Sequence, residues 1–232
     1  MSSATSGARA RARVEVTAAI KDEARRQLAA DGAAKLSLRA VARELGMVSS
    51  ALYRYFPSRD DLLTALIIDA YDSLGAAVEE AHAEVAAAGS VRRWTVACEA
   101  VRSWALDHPH EYALIYGSPV PGYSAPVTTI QAAARVGLLL VGIVRDAHRG
   151  RGVAVRPLPD ALRAEAERLG ADLAPDLPPA VNMALVAAWA QLFGLVGFEV
   201  FGQFNRVVED RSAFFSYATT QLAHSVGLLD QE

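Results

Sequence analysis

Apolar residues recur at three- and four-residue spacing along almost the whole chain, the period of helices with one buried face. From about Val14 to Ala30, Ile20, Ala24 and Leu28 fall on one side, and Gly32 follows where such a helix would end. Val41 and Leu45, then Leu52 and Phe56, repeat the four-residue step in two shorter segments. A longer stripe, Leu63, Leu66, Ile67, Ala70, Tyr71 and Leu74, starts after Ser58, and its pattern persists to about Ala88. At ~1.5 Å per residue that helix would run about 45 Å. Asp60 and Asp61 stand in its first turn, where carboxylates favour the positive end of the helix dipole.

Further helices are predicted at about 91–107, with Val91, Trp94, Val101 and Trp104, and just after Pro109, with Tyr112, Leu114, Ile115 and Tyr116. Others follow at about 127–148, 159–169, 179–203 and 210–227. Residues 117–126, GSPVPGYSAP, read as a loop. No run alternates with period two, so the fold class is all-α. The segment at 179–203 is apolar nearly all round, which requires burial on more than one side, either inside one subunit or against a second copy.

Residues 36–63, LSLRAVARELGMVSSALYRYFPSRDDLL, carry the most information. Ser37 is placed to cap a helix N-terminus, since its hydroxyl can accept from an orphan backbone N–H. Gly46 stands where a left-handed C-terminal cap is usual. Ser49 is placed to cap a second helix, and Pro57 stops it. Two short helices joined by a tight turn form a helix-turn-helix, a unit that presents its second helix to duplex DNA. On that helix Ser49, Ser50 and Ala51 are small enough for close approach to bases. Arg54 can reach a guanine edge with two hydrogen bonds, and Tyr53 and Tyr55 carry hydroxyls suited to phosphate oxygens. The plainer alternatives make Tyr55 a core aromatic and Arg39 a solvated charge.

The string Leu52-Tyr53-Arg54-Tyr55-Phe56-Pro57-Ser58-Arg59-Asp60-Asp61-Leu62-Leu63 resembles the end of the DNA-binding domain of the TetR family of bacterial repressors. Leu36-Ser37-Leu38-Arg39, Val41-Ala42 and Leu45-Gly46 are similar to that family's second helix. The family has Lys more often at the position of Arg59, and the charge is kept. The resemblance implies an N-terminal three-helix DNA-binding domain over 13–60; residues 1–12, small, polar and basic, read as a disordered arm before it. It implies a helical effector-binding and dimerisation domain over 61–232. It places Arg39 and Arg59 among the phosphate contacts, with Ser37 a further candidate for DNA contact, and it implies a homodimer on a palindromic operator, released by a small apolar or aromatic effector. Ala188-Trp189, Phe193-Gly194 and Leu195-Val196 also resemble the C-terminal WHG-type effector domain of some relatives, with Phe193 where a His is usual.

Charge supports the two-part organisation. Residues 1–60 hold 11 Lys and Arg against 6 Asp and Glu, whereas residues 61–232 hold 12 against 20. A basic N-terminal third on an acidic remainder is the footprint expected when one end meets phosphates. The first dozen residues, MSSATSGARARA, lack the apolar core of a secretion signal, and there is no run of about 18 apolar residues, so a cytoplasmic protein with no membrane partner is expected. The lone Cys98 rules out an intrachain disulfide and a cysteine-based zinc site. His108, His110 and Glu111 have ligand-type side chains but flank a proline and need not converge, so no metal or cofactor is expected. Trp104, Tyr112, Tyr116, Trp189 and Phe193 are candidates to line an effector cavity, although such aromatics equally serve as core. No glycine-rich phosphate loop, Gly-x-Ser-x-Gly elbow or His-Glu-x-x-His occurs, so an enzyme is not expected. Two alternatives stay open: a DNA-binding regulator with no small ligand, and a helical enzyme.

Overall fold

A computed structural model describes residues 2–154 and 157–230; Met1 of the expected arm and residues 231–232 lie outside them. All ordered elements among the described residues are helical, so the chain is all-α. The α-helices are α1 Ser2–Asp31, α2 Leu38–Glu44, α3 Ser49–Leu52, α4 Arg59–Glu84 and α5 Ser90–Asp107. They continue as α6 Pro109–Tyr116, α7 Ile130–Arg149, α8 Arg163–Leu173, α9 Pro179–Val200 and α10 Arg211–Ser225. The chain forms two compact units, one of residues 1–71 and 108–130, the other of 72–107 and 131–232, with the division falling inside α4.

Two expectations change at the N-terminus. Helix α1 reaches back to Ser2, through the segment read as a disordered arm. Alanine and arginine are strong helix formers, and once a helix is nucleated each added residue extends it at little cost. The first unit also takes in α6 and the loop after it, through Leu114, Val120 and Tyr123 packed on its core. That core joins Ile20, Ala24 and Leu28 of α1 to Val41 and Ala42 of α2, Leu52 of α3, Phe56, and Leu62, Leu63 and Leu66 of α4.

In the second unit α5, α9 and α10 pack on one another and α8 lies against α9. Trp94, Cys98 and Val101 of α5, Leu192 and Val196 of α9, and Phe215 of α10 are buried there. A charge pair lies among them. The Arg102 guanidinium donates from Nε and Nη2 to the two carboxylate oxygens of Glu199 at 2.7 and 2.8 Å, donates from Nη1 to Glu99, and stacks on the Phe215 ring. Helix α9 is apolar all round, as its sequence predicts, yet only one stripe is covered within the chain. Val181, Leu185, Ala188, Leu192 and Val196 are buried; Phe198 and Phe201 stay 54% and 46% exposed. By length and composition α9 and the stretch Val127–Arg149 could cross a membrane; each also carries a stripe of residues buried within the chain.

Candidate nucleic-acid interface and an apolar cavity

The helix-turn-helix is built by local chemistry. Ser37 accepts the backbone N–H of Ala40 at 3.4 Å and caps α2. At the other end Gly46 takes φ 64°, and the N–H groups of Gly46 and Met47 return to the carbonyls of Arg43 and Ala42. This double bond pattern closes the helix and needs a residue without a Cβ penalty at the left-handed position. Helix α3 then begins after a short turn, with Val48 rather than Ser49 at its cap; Ser49 is the first helical residue and is half-buried. Helix α3 is regular only to Leu52. Tyr53, Arg54 and Tyr55 continue it as a tightening turn whose N–H groups reach Ser49, Ala51 and Leu52, since Pro57 disfavours helical backbone in the residue before it.

The sequence candidates separate by exposure. Arg39, Ser50, Tyr53 and Arg54 lie toward solvent, while Ala51 is half-buried. The Tyr55 ring leans on the first unit's core, in keeping with the plainer alternative, and the Arg13 guanidinium lies over that ring, 5.3 Å from its centre. Arg59 has an internal task. Its Nη2 donates to the carbonyls of Ala33 at 2.8 Å and Ala34 at 3.3 Å, and its Nε to that of Leu36 at 3.2 Å, tying α4 to the turn before α2. Sequence reasoning missed Arg13; the alternating Arg9, Arg11 and Arg13 were the available signal.

The aromatic candidates scatter. Tyr112 and Tyr116 belong to the first unit, tilted against each other at 5.3 Å, with Tyr71 edge-on to Tyr116; burial pushes all three phenols above their ordinary range. Glu111, beside them in sequence, accepts from Arg25 Nε at 3.0 Å. Trp104 is buried in the second unit and its indole N–H donates to Ser73 Oγ at 2.9 Å. Trp189 stands edge-on to the nearly buried Phe193 and remains 46% exposed. Trp189 borders a cavity of about 280 Å³ between α7, α8 and α9, walled by Ala133, Ala134, Gly137, Leu138, Val141, Leu173, Leu185 and Val186. The wall is apolar and holds no charged side chain. A second, more polar hollow of about 550 Å³ lies between the start of α9 and the end of α10, beside Met183, Gln221, His224 and Ser225.

A capped α2, a tight turn and a short α3 carrying Ser50, Tyr53 and Arg54 toward solvent define a helix-turn-helix DNA-binding protein. Residues 20–66 match the family described as bacterial regulatory proteins, tetR family, and residues 94–222 match the tetracyclin repressor-like C-terminal domain. Over 206 residues the chain is 40% identical to HTH-type transcriptional regulators Rv1816 of Mycobacterium tuberculosis and Mb1846 of Mycobacterium bovis, covering 86% of each chain. The crystal structure of the regulatory protein SCO4313 superposes with a TM-score of 0.75 at 34% identity, over 92% of this chain and 98% of that one. PfmR, a TetR family transcriptional regulator from Thermus thermophilus, shares the fold at a TM-score of 0.56 and 18% identity, over 91% and 99% of the two chains. The chain belongs to the TetR family and is a DNA-binding transcriptional regulator.

Proposed function

We propose that this regulator is a cytoplasmic homodimeric repressor that acts by binding alone, occupies a palindromic operator and is released by a small apolar or aromatic effector. The observation that carries the reading is the exposed apolar face of α9, with Val186 and Trp189 at the cavity and Phe198 further along. Phe214 and Tyr217 of α10 are exposed as well. Apolar surface of that extent on a water-facing helix marks an interaction site. Ala187, Ala190, Gly194 and Gly197 leave room for a second α9 to approach closely. A two-fold pair matches the requirement of helix-turn-helix heads for two half-sites.

The cavity supports the effector part of the reading. Its volume lies near the lower end of small-molecule sites, roughly 300–1,000 Å³, so a single ring or short chain fits. A charged ligand would lose its hydration with nothing in the wall to replace it. On this reading Trp189 contacts the effector directly, and Ser50, Tyr53 and Arg54 contact DNA.

Sedimentation and duplex binding test the assembly. The wild-type chain should sediment as a dimer at micromolar concentration. Phe201→Asp should sediment as a monomer that retains its helical content and binds DNA weakly. A wild-type monomer refutes the reading.

A further inference from the structure

Eleven Lys and Arg occur in residues 1–60, and the structure sorts them into two groups. Six are occupied. Lys21 pairs with Asp69; Arg25 with Asp22, Asp69 and Glu111; Arg26 with Glu23; Lys35 with Asp31; Arg43 with Glu44; and Arg59 with three carbonyls and Asp60. Among the described residues the other five, Arg9, Arg11, Arg13, Arg39 and Arg54, make no ion pair, and all five are exposed. Arg39 and Arg54 belong to the helix-turn-helix. The remaining three lie on the N-terminal extension of α1, beyond the stretch that Ile20, Ala24 and Leu28 anchor in the core.

These three charges contribute little to folding. No acid precedes Glu15, so none is within a turn of Arg9. Arg9 and Arg13 stand four residues apart on one face, a like-charge spacing that slightly destabilises a helix. A helix that carries such charge without a partner is suited to an external polyanion. The position of the extension is tied to the DNA-reading element: Arg13 rests on the Tyr55 ring, immediately after α3, and Arg9 lies about 6 Å further along the same face.

We propose that the helical extension of α1 is a second DNA-contacting element, whose Arg9 and Arg13 bind backbone phosphates beside the tract met by α3. The inference rests on the DNA-binding function and adds contacts outside the helix-turn-helix. Arg11, about 200° round the helix from both, points away and serves as the internal control.

The test measures affinity of the full chain for a random-sequence duplex of about 30 base pairs as salt rises from about 50 to 200 mM, because phosphate contacts set the salt slope whatever the sequence, at about 0.9 per contact. Arg9→Ala/Arg13→Ala should lower the slope by about two, so that the wild type loses about tenfold more affinity across that range than the variant. Arg11→Ala should leave the slope within the scatter of the wild type. Loss of the Arg13 contact with the Tyr55 ring should lower the melting temperature by no more than about 4 °C; if it falls further, Arg9→Gln/Arg13→Gln replaces the alanine pair. An unaltered slope in the double variant overturns the proposal, and an equal fall with Arg11→Ala overturns the assignment to one face. A wild-type chain that binds no duplex at all refutes the DNA-binding reading itself, a distinct outcome.

Discussion

The Arg102–Glu199 pair offers the sharpest test of how the second unit is held together. The two side chains are 11% and 5% exposed, and they link α5 to α9 beside Phe215 of α10. Removing one partner of a buried pair strands the other charge, at a cost of about 3–5 kcal/mol, whereas replacing both by apolar residues of similar volume is often neutral or stabilising. The surroundings predict an asymmetry. With Glu199→Leu, Arg102 keeps Glu99 at 2.8 Å and the ring of Phe215, so the loss should fall near the lower end of that range. With Arg102→Met, Glu199 loses both hydrogen bonds of its bidentate contact, so the loss should fall near the upper end. The double variant Arg102→Met/Glu199→Leu should recover to within about 1 kcal/mol of the wild type. The assay is urea unfolding followed by helical circular dichroism, at one fixed protein concentration because the stability of any chain that self-associates depends on it. For a chain of this size each kcal/mol corresponds to about 2–4 °C in Tm, so the single variants should melt about 6–20 °C lower. Losses that simply add in the double variant, or single losses below about 1 kcal/mol, would show that the pair does not behave as a desolvated, mutually dependent unit.

Further outcomes are expected elsewhere in the chain. Arg54→Ala should weaken operator binding by about 1–3 kcal/mol and random DNA much less. Arg59→Ala should instead lower stability by about 1.5–3 kcal/mol, as loss of its charged hydrogen bonds implies, with sequence preference unchanged in a competition assay. Gly137→Leu fills the α7–α9 cavity where a Cβ meets nothing within 4 Å, so it should abolish quenching of Trp189 fluorescence by small aromatic compounds while leaving DNA binding intact. His82 has its pKa lowered by burial and then by the charge of Arg93, whose Nε donates to His82 Nε2 at 3.1 Å, with Asp146 opposing. Folding therefore favours the neutral ring: the stabilisation is present above the unfolded value of 6.5 and is lost as pH falls through it toward the folded pKa. Thermal melts should drop over that window, and His82→Gln should flatten the drop.

What the sequence revealed was governed by short-range interactions. The Ser37 cap, the Gly46 closure, the stop at Pro57 and the carboxylates of Asp60 and Asp61 in the first turn of α4 all act within a few residues, so residue type and spacing suffice to find them. That α9 needs burial on more than one side follows from its all-round apolar composition, which does not say which face meets the rest of the chain. Long-range partners stay hidden. Arg102 and Glu199 are 97 positions apart, and nothing local in either marks a buried pair. Arg59 reads as a phosphate contact in the sequence because its charge is visible there and the carbonyls more than twenty residues earlier are not. The five aromatics share a residue class but not a place, since grouping by type ignores which unit each helix joins. In residues 1–12 a small, polar composition suggests disorder, and the helix propensity of alanine and arginine outweighs it.

Cys98 has a practical consequence. It is the chain's single cysteine, it is fully buried in α5, and burial pushes its thiol far above the ordinary range, so the reactive thiolate is scarce and shielded. The natural sequence is therefore a silent background for thiol chemistry. A cysteine introduced at an exposed position of α1, such as Arg11, becomes the one site that a maleimide dye or nitroxide can reach. Two such labels, one on each copy of a dimer, would form a molecular ruler. The distance between the N-terminal extensions could then be followed in solution, with and without DNA or an added small molecule, without first removing any native residue.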